Sequence, residues 1–127
     1  MTQPSCSLER LTPRIKLWLE MDGHFILGKG GALLLRAIEE HGSISQAVQA
    51  LPPDALGEGA APSYRFAWGY LRKVEERLGA AVVEKRRGYG SGVGGTALTG
   101  IGRNLLRRYE GIEAELDAAL AKVARGK

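Results

Sequence analysis

The sequence SYRFAWGYLRKVEERL occupies residues 63–78 and has the pattern of an amphipathic helix. Ser63 is the predicted N-cap and Gly79 the predicted stop, because a serine oxygen accepts from free backbone N–H groups and glycine tolerates left-handed backbone. Apolar side chains recur at intervals of three and four and form the expected core stripe: Phe66, Ala67, Tyr70, Leu71, Val74 and Leu78. Trp68 is interpreted as a further packing residue. The pattern predicts a helix over 64–78.

Two shorter helices are predicted upstream. Residues 32–40, ALLLRAIEE, form the first, which Gly42 ends and which the glycine-rich residues 28–31 separate from the preceding strand. The second spans 44–51, since Ser43-Ile44-Ser45-Gln46 has the S-x-x-Q form of a capping box. Its expected inward residues are Ala47, Val48 and Leu51. Pro52 and Pro53 end it, and residues 52–62 form a loop rich in Gly, Pro and Ala.

Two β-hairpins are predicted on either side of these helices. Residues 14–20, RIKLWLE, alternate in polarity and indicate a half-buried strand. Asp22-Gly23 is a turn signal, after which residues 24–27 return as the second strand. The other hairpin has a strand over 81–86, a glycine-rich tip over 88–95 and a short return strand at 97–98.

A long final helix is predicted over 100–125, with Thr99 as its cap. Its apolar residues fall at spacings of 4, 3, 4, 3 and 4, which is a heptad seam: Leu105, Tyr109, Ile112, Leu116, Ala119 and Val123. Such a seam packs either on its own domain or on a second copy of the helix. Dimerisation is the favoured interpretation.

The order of these elements predicts the fold class. Three helices followed by a glycine-tipped hairpin are typical of a winged helix-turn-helix, a mainly α form of the α+β class with small hairpins. We expect a flexible leader over 1–13, a winged helix-turn-helix domain over 14–98 and a C-terminal dimerisation helix over 99–127.

Composition and charge narrow the function classes. The net charge is +4, but residues 63–108 hold ten Lys and Arg against three Glu, a net charge of +7. Such a block attracts polyanions, although it is also compatible with an ordinary solvated surface. The sequence has no run of 18 apolar residues, so no membrane helix is predicted, and no signal peptide is evident. Cys6 is the single cysteine, so no internal disulfide can form, which suits a reducing cytoplasm.

Candidate DNA contacts follow from the helix-turn-helix, in which the start of the later helix reaches base edges. Arg65 can form a bidentate pair with guanine, and the preceding helix usually crosses the phosphate backbone. The predicted contacts are Ser43, Ser45, Gln46, Ser63, Tyr64, Arg65, Arg72, Lys85, Arg86 and Arg87. The alternatives stay open: Ser43, Gln46 and Ser63 have capping roles, Tyr64 can simply pack, and the basic wing edge can simply be solvated.

The sequence gives little support to a nucleotide-binding, metal-binding or catalytic site. Residues 90–95 match G-x-G-x-x-G, but a dinucleotide fold needs that motif between a strand and its helix, followed by a further parallel strand. His24 and His41 have no partners at metal-ligand spacing, and no nucleophile with an adjacent base stands out. We expect no metal, no cofactor and no enzymatic activity. The runner-up function is a protein-interaction module that docks an acidic partner; an enzyme with an unrecognised site ranks third.

Three sequence blocks resemble the DNA-binding domain of ModE-type molybdate-responsive regulators: residues 42–47 (GSISQA), residues 63–68 (SYRFAW) and residues 98–102 (LTGIG). The hairpin over 14–27 and the following Gly28-Lys29-Gly30 are also similar to short members of that family, so that the resemblance covers about residues 14–120. LysR-type regulators share a related domain, with GS-x-x-x-A and LT-x-x-G patterns, but the SYR-x-AW block favours ModE.

The resemblance implies a dimeric winged-helix repressor or activator that binds double-stranded DNA. It carries DNA contact onto Ser63, Tyr64 and Arg65, and wing contact onto Lys85–Arg87. Two departures are visible: the loop over 52–62 is longer than the usual tight turn, and the sequence ends at its final helix, whereas full-length ModE proteins continue into molybdate-binding domains. Molybdate is therefore not expected to bind this chain, and a role in molybdenum metabolism rests on analogy.

Overall fold

The computed structural model describes residues 7–57, 62–86 and 95–126. In chain order they form a 3-10 turn (Leu8–Arg10), β1 (Leu19–Met21), β2 (His24–Leu27), α1 (Lys29–His41), α2 (Ile44–Gln49), α3 (Tyr64–Leu78), β3 (Val83–Arg86), β4 (Gly95–Leu98) and α4 (Gly100–Gly126). The strands make two antiparallel hairpins, β1–β2 and β3–β4. The predicted fold class, an α+β winged helix with a long C-terminal helix, is confirmed.

The N-terminal hairpin is shorter than predicted. Asp22 and Gly23 both have positive φ, 53° and 82°, as a tight hairpin turn requires. The predicted strand over 14–20 is wrong for residues 14–18, because β2 has only four residues and α1 begins almost directly after it. A strand needs a partner for its backbone groups, and β2 is too short to pair with residues 14–18.

Helix α1 begins earlier than predicted. The strand ends at Leu27, as the glycine-rich residues 28–31 predicted, but three of these four residues are already helical. Gly28 is the N-cap, and Lys29 to Gly31 form the first turn. A Cβ atom on Gly30 would lie 1.6 Å from the carbonyl oxygen of Ala55, and one on Gly31 would lie 2.4 Å from the hydroxyl of Tyr70. These glycines therefore let the 52–57 loop and α3 pack directly on α1.

Helix α2 has the predicted start and an earlier end. The Oγ of Ser43 accepts a hydrogen bond from the backbone N–H of Gln46 at 3.1 Å. Ala47 and Leu51 are buried as expected, and Ile44 is buried as well. The helix stops at Gln49 rather than at residue 51, within one turn of Pro52.

Helix α3 has the predicted bounds, and both predicted ends are confirmed. Ser63 caps it through a 3.1 Å hydrogen bond from the N–H of Phe66, and Gly79 ends it in the left-handed conformation. Two packing predictions are wrong, since Phe66 and Trp68 are each 47% exposed. Phe66 instead lies beside the loop, where its ring would be 3.0 Å from a Cβ atom on Gly57.

The hydrophobic core joins α1, α2 and α3 to the first half of α4. Its most completely buried large side chains are Leu27, Leu34, Leu35, Ile38, Val82, Leu98 and Tyr109. Because β2, the first three helices, β4 and the first half of α4 all supply core residues, the surfaces of α3 and the wing are held by one packed unit.

Thr99 fastens the end of the wing to α4. Its Oγ1 donates to the carbonyl of Ala81 at 2.7 Å and accepts from the N–H of Gly102 at 3.0 Å, so the predicted cap is confirmed. A Cβ atom on Gly102 would lie 2.1 Å from the carbonyl oxygen of Val82. The LT-x-x-G block thus combines a helix cap with a close approach of helix to backbone. Strand β3 begins at Val83, later than predicted, and β4 begins at Gly95, earlier than predicted.

Candidate nucleic-acid interface

The start of α3 is open to solvent. Tyr64 is 52% exposed and Arg65 is also exposed, while the hydroxyl of Ser63 is engaged as the cap. The first N–H groups of a helix have no intrahelical acceptor, and the helix dipole is positive at this end. The structure therefore brings the three predicted residues together at the end of α3 best suited to an anionic ligand.

The outward face of α3 continues from Arg65 towards the helix end. At about 100° per residue, Arg65, Gly69, Arg72 and Glu76 point away from the buried stripe of Ala67, Leu71 and Val74. All four outward residues are exposed, and Lys73 lies beside them, also exposed. The face carries three basic side chains against one acidic side chain, so its local charge is positive.

Trp68 lies on one flank of this face and makes a contact that the sequence analysis missed. The guanidinium of Arg72 lies over its ring, 4.7 Å from the ring centroid. Arg72 also pairs with Glu75, at 3.5 Å between Nη1 and Oε1. The other oxygen of Glu75 accepts from the backbone N–H groups of Val82 and Val83, at 2.9 and 3.3 Å. The arginine is thereby linked to the start of the wing.

The predicted α2 contacts lie at the beginning of that helix, which packs against α3. Ser45 and Gln46 are exposed. Ser43 is half-buried and acts as the N-cap, so its capping role is confirmed. Contact of these residues with DNA stays a prediction.

The wing, which is the β3–β4 hairpin, is hydrogen-bonded to the end of α1. Strand β3 pairs with β4 from Val83↔Leu98 to Arg86↔Gly95. The N–H of Thr96 donates to the carbonyl of Gly42 at 2.8 Å, which ties β4 to the end of α1. Lys85 and Arg86 are exposed on β3, whereas Arg87 lies outside the described residues.

The basic block is divided between two surfaces. Its first members lie on α3 and β3, but Arg103, Arg107 and Arg108 lie on α4. Arg103 donates to the carbonyl of Leu98 at 2.9 Å, so it supports the wing strand. The concentration of charge along the sequence therefore overstates how much charge one face presents.

The heptad seam of α4 is also divided. Tyr109 is 1% exposed, and its hydroxyl donates to the carbonyl of Leu17 at 3.1 Å. Tyr109 therefore belongs to the core of its own chain, which corrects its assignment to a dimer interface. Leu105 packs against the same core, and Leu106, which the seam does not include, is buried. Ile112, Leu116, Ala119 and Val123 remain exposed.

Two ion pairs fix α4 on α1. Arg36 forms a two-point pair with Glu110, and Lys29 pairs with Glu113 at 2.7 Å. These carboxylates raise the pKa of the Arg36 guanidinium and of the Lys29 ammonium, mainly through the hydrogen bonds. The partners lie on helices far apart in sequence, so no local pattern could have revealed them.

An apolar cleft extends the exposed part of the seam. It has a volume of about 480 Å³ and its lining includes Met21, Leu78, Ile101 and Ile112. Met21 and Ile101 are 42% and 47% exposed. Ile101 lies on the same helical stripe as Ile112, three turns away, so the apolar surface is longer than the sequence analysis predicted.

Two features are absent from the described residues: a metal-binding cluster and a membrane-spanning helix. In that part of the chain, no group of three or more His, Cys, Asp or Glu side chains is placed to hold a metal ion. No helix there is both long and apolar enough to cross a membrane.

One curated relative gives a comparison. The chain is 32% identical over 91 residues to the molybdenum transport protein ModE of Azotobacter vinelandii. The match covers 72% of this chain and 30% of that protein, so the chain spans under a third of the relative's length. No family model matches the chain. The similarity supports the resemblance to ModE-type proteins.

Proposed function

We propose that the chain is a cytoplasmic, sequence-specific transcriptional regulator that binds duplex DNA as a homodimer. The observation that carries the proposal is the outward face of α3, where Arg65, Arg72 and Lys73 are exposed on the third helix of a winged helix-turn-helix. That helix is the one which enters the major groove in this architecture. The similarity to a ModE protein supports the same function.

The first turn of α3 is proposed to recognise the bases. Arg65 is exposed there, and its guanidinium can donate two parallel hydrogen bonds to guanine. Tyr64 and Ser63 add hydroxyl groups at the same end. Ser45 and Gln46 on α2 are exposed and are proposed to contact phosphates, which would set the register of the protein on the duplex. Lys85, Arg86 and Arg87 are proposed to bind the backbone beside the wing.

The homodimer is proposed to form through the exposed stripe of α4. This stripe consists of four residues on one side of the helix: Ile112, Leu116, Ala119 and Val123. It continues into the apolar cleft that Ile101 lines. Leu78, at the far end of α3, lines that cleft. Since α3 has 15 residues and rises about 1.5 Å per residue, its first turn lies about 20 Å from the stripe. Dimerisation there leaves the start of α3 free for DNA.

Charge along α4 favours an antiparallel arrangement of the two copies. Glu113, Glu115 and Asp117 come before Ala119, and Lys122 and Arg125 come after it. A two-fold axis near Ala119 places the acidic segment of each copy opposite the basic segment of the other. The same axis brings Leu116 next to Val123 of the partner copy.

A link to molybdenum metabolism is proposed from the name of the relative alone. Direct binding of molybdate to this chain is not proposed. Equilibrium dialysis with molybdate tests this point.

The first test is fluorescence anisotropy of duplexes with a randomised core, between about 50 and 200 mM salt, followed by sequencing of the bound pool. The proposal expects binding that weakens steeply with salt and enriches a two-fold symmetric site. Arg65→Ala should then relax the preference at one base pair of each half-site, at a cost of about 1–3 kcal/mol.

Arg14→Ala is the matched control, because it removes the same charge from an exposed position outside the helices. Equal losses in the two variants would mean that Arg65 contributes only net charge. Binding without any base preference would contradict sequence-specific regulation, and no binding even at about 50 mM salt would favour the alternative of an interaction module for acidic protein partners.

A further inference from the structure

Trp68 has an unusual place on α3. It is 47% exposed, although it sits in the middle of a helix whose opposite side is packed in the core. Tryptophan has a large apolar ring whose face attracts cations. The guanidinium of Arg72 covers part of this ring, 4.7 Å from the ring centroid.

Arg72 is restrained from two sides although its side chain is 63% exposed. The ring of Trp68 supports the plane of the guanidinium, and Glu75 attracts one edge at 3.5 Å. Glu75 cannot easily move away, because its other oxygen is held by the N–H groups of Val82 and Val83. A long arginine that would otherwise sample many rotamers is thus held close to one position.

A stacked guanidinium keeps its hydrogen-bonding capacity. Its five N–H donors lie in the plane of the group, so a ring below the plane blocks none of them. The Glu75 contact occupies one edge only. The remaining edge can bind a planar pair of acceptor oxygens in the two-point geometry typical of arginine and phosphate.

The position of Arg72 on α3 favours a phosphate over a base. It lies seven residues after Arg65, which is about 10 Å along the helix axis. The major groove is about 8.5 Å deep. If α3 enters the groove with its first turn leading and its axis steeply inclined to the groove floor, a residue two turns later lies near the rim of the groove, where the phosphates are.

We propose that Trp68 is a positioning residue, which rests on the proposed DNA-binding function: its exposed ring holds the guanidinium of Arg72 in the orientation that binds a backbone phosphate of duplex DNA. Arg72 makes the contact, and Trp68 acts through it. The pair adds affinity without adding base preference, because a phosphate contact carries no sequence information.

The test uses a mixed-sequence duplex of about 30 base pairs, long enough for two half-sites a helical turn apart, with affinity measured at several salt concentrations. Arg72→Ala should reduce the steepness of the log–log salt dependence by about 0.9 per protomer in contact. Trp68→Ala should weaken binding about two- to fivefold, and Trp68→Phe should restore most of the loss, since phenylalanine keeps a ring.

Trp18→Ala is the matched control, because Trp18 is 49% exposed but lies outside α3, where its indole N–H donates to Glu20. It should leave binding unchanged. In the Arg72→Ala background, Trp68→Ala should cause no additional loss, since the two residues act as one unit. Thermal unfolding of each variant shows whether the fold is intact, and a purely structural role of Trp68 would lower stability without this non-additivity.

The outcomes separate the two claims. If wild-type protein binds the duplex but Trp68→Ala binds equally well, or loses affinity additively with Arg72→Ala, the positioning role is wrong and DNA binding stands. An additive loss would mean that Trp68 contacts the duplex itself. If wild-type protein fails to bind at about 50 mM salt, the proposed function fails, and the positioning role fails with it.

Discussion

The two halves of α4 share one heptad pattern but have opposite surroundings. In the first half, Leu106 and Tyr109 are 2% and 1% exposed, and Arg36 holds Glu110. In the second half, Leu116 is 36% exposed and Val123 is 69% exposed. Periodicity therefore shows which side of a helix is apolar, but it does not show what covers that side.

The second half is only slightly longer than the shortest helices that are stable alone. Residues 111–126 are 16 in number, and isolated helices shorter than about 12–15 residues are marginal in water. Its regular continuation from an anchored first half explains part of its order. An apolar stripe on such a segment is best accounted for by a partner helix, which is the physical reason for proposing the dimer there.

The largest effect is expected from removing the core anchor of the first half. Tyr109→Ala should lower the free energy of unfolding by about 3–5 kcal/mol, because it empties a fully buried site and removes the hydrogen bond to Leu17. Val123→Ala, in the second half, should change it by less than about 0.5 kcal/mol per monomer at concentrations below dimer formation. Urea unfolding monitored by circular dichroism measures both. Similar losses would mean that the contrast between the halves is wrong.

A pair of glycines gives a second contrast within the same helix. Gly102→Ala should destabilise by about 1–3 kcal/mol, since the new methyl group would meet the carbonyl of Val82 at 2.1 Å. Gly111→Ala has nothing within 4 Å and should stabilise by about 0.5–1 kcal/mol. Melting temperatures of the two variants should move in opposite directions. A stabilised Gly102→Ala protein would show that the contact between α4 and β3 is looser than described.

The exposed stripe is tested by oligomeric state rather than by folding. Ile112→Asp places a charge within the proposed interface and should give monomers in sedimentation velocity, with little change in helix content. Ala118→Asp is the matched control, because residue 118 is exposed on the other side of α4. Dimers that persist in Ile112→Asp, or that are lost equally in both variants, would place the interface elsewhere.

The smallest effect is expected from alkaline pH, and Tyr109 of the anchored half contributes to it together with Tyr70 and Lys29. Burial raises the pKa of Tyr109 and of Tyr70, and the hydrogen bond to Glu113 raises the pKa of Lys29. A group with a raised pKa in the folded state contributes its full stabilisation below its unfolded pKa, here about 10, and loses it as the pH rises further. Stability should therefore fall above pH about 10, and less so in Tyr109→Phe. An unchanged fall in Tyr109→Phe would assign the effect to Tyr70 and Lys29.

Sequence patterns predicted a helix well where its cap, its stop and its buried stripe all lie within or next to its own residues. The bounds of α3 followed from Ser63, Gly79 and the apolar spacing, since a cap, a stop and one buried stripe all lie within its own residues. The 14–20 strand failed for the converse reason: alternation fitted a strand, but the partner strand was too short to pair with most of it. The glycine-rich residues 28–31 predicted the end of β2 but not the place of Gly30 and Gly31 inside α1, because their close packing against Ala55 and Tyr70 involves distant residues.

The candidate site shows the same division. Residue type and spacing alone pointed to Ser63, Tyr64 and Arg65 at the start of α3, and the structure leaves Tyr64 and Arg65 exposed there. The role of Glu75 was not predictable, because its partners Val82 and Val83 lie outside the helix. The stacked pair had a local signal, since Trp68 and Arg72 are four residues apart on one helix.

The amino-acid order was sufficient for the winged-helix class, the caps of α2, α3 and α4, and the basic start of α3, because each depends on propensity, periodicity and hydrogen bonds over a few residues. Tertiary packing alone separated the anchored half of α4 from the exposed half and placed the carboxylate of Glu75 against the backbone N–H groups of Val82 and Val83. It also joined Arg36 to Glu110 and Lys29 to Glu113. These features depend on which surfaces meet after folding, and burial and charge pairing between distant residues leave no periodic trace in the chain.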